Sequence, residues 1–489
     1  MKRVSNINGL AIILISSVFL LSCSDMLDEV PKNFVSRSNY YQNEADAQGA
    51  LNGAYSSIGP DFYGITNYLM TELQGDYLNG RGSQAPISIV DQVLNQQNIQ
   101  RAASNWGTLY SAINKANAVL DNVPQIVNIS DNAKQRIVAE AHFLRAIAYF
   151  ELVRGWGAVP IKTTESTDLS ELSAAREPEA VVYQLIIDDA KAAEAALGEV
   201  GNETGKASVW AAKMLLADVY LTIEEWDLAA QKADEVITGG PYSLVTVSEP
   251  DDFYKIFASE TSTEDIMSVH HSEISGSTIP TYIHMGGNYP YNYSSSGFFA
   301  WLPDTTSFIG ASWDDNDLRK PFNLYREFQN ASGQWVPLPS TTPVLFKKFI
   351  TNEAGQSVYS VPVYRFTEAF LIYAEASARA TTTPSALALE RLNMIKRRAY
   401  GLPLQGPSAV DYPAGMSGDE FVEAVLQERA YEFLLERRRW WDLKRTGKVK
   451  EAFAAVGKTF IDQRMLWPIP ESEINNNPAI TQQDQNPGY

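Results

Sequence analysis

Two stretches of this chain place side chains suited to non-covalent recognition at close spacing. The first is Asp76-Tyr77-Leu78-Asn79-Gly80-Arg81, which packs a carboxylate, a phenol, an amide and a guanidinium into six residues. The second is an aromatic tract holding Tyr291, Tyr293, Trp301 and Trp313 among Ser, Gly, Asn and Pro. Neither stretch has helical periodicity. Together these types match a polyhydroxylated ring. An indole or phenol covers its apolar C–H face at little entropic cost. Asn, Asp and Arg pair with vicinal hydroxyls on its rim. For each aromatic taken singly, the alternative role is to plug a gap beneath its own loop.

Motifs for bond-making chemistry fail on inspection. Gly201-Asn202-Glu203-Thr204-Gly205-Lys206 has three residues between its glycines where a phosphate loop needs four, and Ala207 stands where a hydroxyl would hold Mg²⁺. Gly80-Arg81-Gly82-Ser83-Gln84-Ala85 fits a dinucleotide fingerprint on spacing, but Pro86 interrupts any helix after it. No His-Glu-x-x-His or Gly-x-Ser-x-Gly occurs. Asp314-Asp315-Asn316-Asp317 offers oxygen ligands without the glycine and distal glutamate of a calcium loop, so it reads as a solvated acidic turn. His142 has no second ligand at helical spacing and reads as structural. No cofactor and no metal are expected. A glycosidase needs only two carboxyls at the right separation, and that alternative stays open.

Helices must position these stretches. Helical spacing of small and apolar residues predicts helices over 39–58, around Trp106–Leu120, over 139–157, 178–197, 207–237 (a pair), 363–380, 385–400, 418–446 and 447–456. Gly59-Pro60 is expected to stop the first, and Gly155 and Gly157 the third. Leu216, Ala217, Tyr220, Ala229 and Pro241 fall at offsets of a tetratricopeptide repeat. Between the helices lie two loop-rich regions, about 60–105 and 243–362, with short strands expected at Asp265–His271 and Leu345–Ile350. The cluster Glu428, Glu432, Glu436, Arg437, Arg438, Arg439 is expected to lace one helix with ion pairs, while Trp440 and Trp441 pack its end into the core.

The N-terminus reads as a secretory signal: Lys2 and Arg3, an apolar run from Leu10 to Leu21, then Ser22 before Cys23, the only cysteine of 489 residues. That run is too short to span a bilayer, which takes about 20 apolar residues. Net charge is −19, and removing Lys2 and Arg3 with the signal makes it −21. Such acidity argues against nucleic acid as a partner. With one cysteine there is no disulfide framework, so a large core must carry stability. Length alone suggests about three domains.

Leu20-Leu21-Ser22-Cys23 resembles the lipobox of bacterial lipoproteins, which makes Cys23 the lipid-bearing first residue of the mature chain. The alternative is an ordinary secreted protein with an unpaired thiol. Asp25, Asp28 and Glu29 resemble an outer-surface export signal of Bacteroidetes, or form a short acidic linker. Further blocks follow in order: Ala139–Pro160, the Trp106–Tyr110–Asn117 helix, Tyr373-Ala374-Glu375-Ala376 and Leu392–Ala399. Then come Glu428–Phe433, Arg439–Arg445, Leu466-Trp467-Pro468-Ile469-Pro470 and Gln485–Tyr489. By these the chain resembles the SusD/RagB family of outer-membrane nutrient-binding lipoproteins. The resemblance implies a mainly α fold, with tetratricopeptide-like helix pairs as scaffold and a loop-rich ligand face containing a few short strands. It implies a signal peptide over 1–22 and one domain over 23–489. It also implies a non-catalytic glycan-binding lipoprotein at the cell exterior, anchored in the outer membrane through Cys23. Its partner would be a SusC-like TonB-dependent transporter that receives the oligosaccharide. The ligand contacts expected are Asp76, Tyr77, Asn79, Arg81, Tyr291, Tyr293, Trp301 and Trp313. The rival functions are a surface glycoside hydrolase and a repeat scaffold for peptide or protein cargo.

Overall fold

The computed structural model describes residues 40–168, 173–199, 205–258, 262–271, 300–303, 312–330, 332–349 and 359–489, with isolated positions 277, 279, 283 and 309. The signal, Cys23, Tyr291 and Tyr293 lie outside the described residues. The helices start where polar caps satisfy their free N–H groups. Asn43 accepts from the backbone of Ala45 and Asp46 to open α1 (Glu44–Ser56). Asn95 caps α3 (Gln96–Asn122), Ser130 caps α4 (Asp131–Trp156), and Ser208 caps α6 (Val209–Thr222). Between them in sequence lie α2 (Ile65–Glu72) and α5 (Glu179–Ala196). Then follow α7 (Trp226–Gly239), α8 (Phe366–Thr381), α9 (Ala386–Ala399) and α10 (Gly418–Glu432). The last of these opens on a reciprocal capping box between Ser417 and Glu420. A short α11 (Arg439–Arg445) follows.

Packing follows sequence order. Helix α3 lies on α4, α4 on α5, α5 on α6, α6 on α7, α7 on α8, and α8 on α9 and α10. Leu216, Ala217, Tyr220 and Ala229 are buried in the α6–α7 pair, as the repeat offsets require, and Pro241 is exposed just beyond it. One apolar cluster runs from Ala47 to Ile480. The fold is mainly α, with tetratricopeptide-like helix pairs and only two-stranded sheets among the described residues. Among the described residues no helix is long and apolar enough to cross a membrane.

The strands are short. Asp265–Val269 (β2) pairs antiparallel with Val361–Arg365 (β6), and Leu324–Tyr325 (β4) with Leu345–Phe346 (β5). Asn79–Gly80 (β1) pairs with Ala300–Trp301 (β3), and so joins the two loop-rich regions.

Four expectations are corrected. Residues 61–100 are not all loop, because α2 lies inside them; every residue from Asn67 to Glu72 is buried, so the helix has no amphipathic stripe to betray it. Pro60 does not stop the chain after α1, which continues as a π-helical turn over Ser57–Phe62. Gly155 stays inside α4, and Gly157, with φ of 75°, ends it. The helix expected over 418–446 breaks at 433–438, where Leu435 and Arg437 both take left-handed backbone with φ of 61°. That break turns consecutive polar side chains in different directions.

Candidate ligand-binding site

The site is built on the β1–β3 ladder. Its register sets Asn79 opposite Trp301 and Gly80 opposite Ala300. Directly opposed residues share a face, so the amide and the indole are neighbours. Gly80 is required here, since a Cβ at that position would lie 2.5 Å from the Gln84 carbonyl oxygen. Arg81 continues the extended backbone (φ −125°, ψ 153°), which returns its exposed side chain to the face of Asn79. Trp301 is half-buried on a small apolar cluster of Tyr325, Leu338 and Leu345, with Phe328 beside it. Leu302 extends the pairing through a bridge to Val344. The loop is tied to α3 by Arg101, which donates to the Ser83 carbonyl at 3.2 Å and its hydroxyl at 3.0 Å.

Lys458 completes this group, and nothing in its sequence neighbourhood signalled it. Its Nζ donates to Asn79 Oδ1 at 2.9 Å. Partial burial lowers the ammonium pKa, against the pull of Asp76. The ladder thus presents an aromatic surface beside an amide, a guanidinium and an ammonium.

Three expected contacts are corrected. Asp76 is buried and its carboxylate accepts two bonds from Arg439, at 2.8 and 2.7 Å. Tyr77 is buried; its hydroxyl donates to Glu72 and accepts from the Leu435 N–H at 3.3 Å. Trp313 is buried and stacks on Tyr431 with centroids 4.7 Å apart and planes 8° apart. All three support the loops from below. Asn79, Arg81 and Trp301 keep surface to offer. Tyr291 and Tyr293 lie outside the described residues.

The acidic turn holds its own partners: Asp317 pairs with Arg319 at 2.6 Å, Asp315 with Lys320 at 2.5 Å, and Asp314 accepts from Tyr400 at 2.9 Å. Among the described residues no group of three or more His, Cys, Asp or Glu could hold a metal ion. His142 pairs with Asp189 at 2.6 Å, a structural role.

Comparison with known proteins settles the family. The SusD family profile matches residues 329–489, and a second profile, described as starch-binding associating with outer membrane, matches residues 25–221. The chain belongs to the SusD/RagB family. SusD-like protein P2 of Formosa agariphila is 27% identical over 96% of this chain and 97% of its own length. A SusD homolog from Bacteroides thetaiotaomicron superposes with a TM-score of 0.79 at 22% identity, covering 93% of this chain and 98% of that one. A laminarin-binding SusD-like protein gives a TM-score of 0.72 at 23% identity, covering 92% of this chain and 100% of that one. At these identities the structural likeness is one of fold.

The most recognisable block of this SusD/RagB chain, Glu428–Arg445, makes most of its ion pairs across the fold, with Asp442–Arg445 a pair along α11. Glu432 accepts from Arg319 at 3.1 Å, Arg365 at 2.7 Å and Arg398 at 2.5 Å. Burial pushes its pKa up, but these three guanidiniums outweigh burial and hold it well below the usual carboxylate range. Glu436 pairs with Lys348 at 2.6 Å and Arg365 at 2.8 Å. Asp442 accepts from Arg429 and Arg445, each at 2.8 Å; burial again raises and the arginines prevail, at about 2. Trp440 and Trp441 are buried beside them, as expected. Glu72 differs: burial pushes its pKa up to about 7, against the bonds from Tyr77 and the Arg437 N–H.

Proposed function

We propose that this SusD/RagB protein is a non-catalytic, cell-surface glycan-binding lipoprotein. It is anchored in the outer membrane through Cys23, captures oligosaccharide outside the cell and delivers it to a SusC-like TonB-dependent transporter. The mature chain, 23–489, acts as one domain, in keeping with its continuous apolar cluster. The observation that carries glycan binding is the pairing of Asn79 with Trp301 beside Arg81. An indole part-open to solvent stacks on a sugar face, while amide and guanidinium meet hydroxyls in pairs. Tyr291 and Tyr293 are proposed further contacts.

The carboxyls with perturbed titration favour binding over hydrolysis. A general acid near neutrality must reach the leaving oxygen. Glu72 has such a pKa, but it is buried with both oxygens engaged by Tyr77 and the Arg437 N–H. Glu368 is likewise raised by burial, and buried between Arg429 and Arg438. Laminarin binding is a property of one structural neighbour, which makes laminarin the first glycan to try.

The test is isothermal calorimetry of the soluble chain, starting after Cys23, against a polysaccharide panel, with Trp301→Ala in parallel. Saturable heat with one glycan class, weakened at least tenfold by the substitution, is expected. Silence across the panel, or equal affinity in Trp301→Ala, overturns the assignment. Release of reducing ends from any panel member overturns the non-catalytic part.

A further inference from the structure

Helix α3 carries a glycine that its fold does not need. Gly107 sits near the middle of Gln96–Asn122, and a Cβ added there would meet nothing within 4 Å. Its φ is not in the left-handed range. Glycine inside a helix costs about 1 kcal/mol relative to alanine. Packing and backbone conformation therefore give no reason for it.

Two surface cavities do. One, of about 360 Å³, lies between α3, the segment after Pro160 and the C-terminal Ser472–Asn477 segment. The other, of about 640 Å³, lies between α3 and the turn that joins α1 to α2. Gly107 lines both. The first cavity is floored by half-buried Tyr110, whose hydroxyl donates to the Pro160 carbonyl at 2.7 Å, with Trp106 buried beneath it, centroids 4.9 Å apart. Exposed Ser472 and Asn476 stand on its rim. The second is lined by hydroxyls from Thr66, Ser104, Thr108 and Ser111. Charges balance in each: Lys162 with Glu473 in the first, Lys115 with Asp61 in the second.

We propose that the two cavities form one groove over Gly107 that binds a neutral oligosaccharide, as a second glycan site. Two cavities that share Gly107 suit a chain of rings more than one compact ligand. Balanced charge selects against acidic and basic ligands. The part-open Tyr110 ring and the hydroxyl lining match sugar faces and rims. The groove shares no lining residue with the Asn79–Trp301 ladder. A side chain at position 107 would stand in the path of the ligand, which explains a glycine held at a cost to the helix. The ligand class rests on the glycan-binding function proposed above, and the sites are separable by substitution.

The experiment is calorimetry with the hexasaccharides of laminarin, starch, xylan and mannan. It uses the soluble chain, Gly107→Leu, Trp301→Ala and the double variant. Leucine favours helix, so Gly107→Leu is expected to melt no lower than the parent. The parent is expected to bind two hexasaccharides, each single variant one, and the double variant none. One site lost in Gly107→Leu alone supports the groove and overturns the ladder site. Unchanged stoichiometry and affinity in Gly107→Leu overturns the groove and leaves the ladder intact. No binding by the parent overturns both.

Discussion

The Glu428–Arg445 block and the Asn79–Trp301 ladder divide the work of this molecule. The block is dense in charge and almost wholly buried, with Glu432, Glu436 and Asp442 each held by two or three cations and Glu428 by Arg319. The ladder is two residues per strand, half-exposed, and held by a glycine that fits only because it has no side chain. Both sets of residues read as plausible binding groups in sequence, since Arg, Glu and Trp are what ligands like. Burial separates them. A charge network buried inside the fold is out of reach of a ligand, whereas a half-covered indole on a short strand has a face to give. Residues with strong sequence signatures are here the ones that tie distant segments together. The residues with surface to offer carry no signature.

That division can be tested from its strongest side first. Glu432→Ala leaves three buried guanidiniums without their shared partner, and breaking such a pair costs about 3–5 kcal/mol. Chemical denaturation should show that loss; a change under 1 kcal/mol would mean that the network is dispensable. Trp313→Ala should likewise lower stability by about 3–5 kcal/mol, the usual cost of emptying a buried aromatic site. The folded fraction should keep its glycan affinity. Trp301→Ala should do the reverse, with a small effect on melting and a loss in affinity of about 2 kcal/mol or more, the scale of a binding hot spot. Equal behaviour of the two tryptophans would erase the distinction between the regions.

Glu72 gives a pH-dependent test. Burial raises its folded pKa to about 7, above the ordinary glutamate value of 4.5. The folded chain therefore binds a proton that the unfolded chain has released, so this contribution is full below the unfolded pKa and is lost as pH rises through about 7. Relative to Glu72→Gln, the parent should lose roughly 2–3 kcal/mol between about pH 5 and about pH 8. A parallel pair of denaturation curves across that range would contradict it. The smallest effect is expected at Asn79→Ala, about 1 kcal/mol in affinity from one hydrogen-bonding group. Calorimetry resolves that against the Trp301→Ala loss.

Most of the helices were legible because helical spacing and their caps are local properties. The buried repeat offsets of the α6–α7 pair follow from a few neighbouring residues. Helix α2 was not legible, because the unbroken buried run from Asn67 to Glu72 has no period to show. In the candidate site, Asn79, Arg81 and Trp301, picked out by type and loop setting, keep surface open to solvent. Asp76, Tyr77 and Trp313 had the same type and setting and turned out to be supports. Alternation explains part of this: Asn79 and Arg81 share one face of an extended segment, while Tyr77 and Asp76 lie where the chain is still inside.

Sequence by itself determined the family resemblance, the helix pairs and the kinds of side chain available for recognition, because these depend on neighbours along the chain. Tertiary structure alone decided which of those side chains meet. Asn79 and Trp301 are more than two hundred positions apart and become neighbours through one antiparallel register; Lys458 arrives from the opposite end of the chain. Arg439 could pair with Glu436 along the chain but is claimed by Asp76, because the left-handed turn at Leu435 and Arg437 points it there. Long-range pairing depends on the whole packed core, and no local window of sequence contains that information.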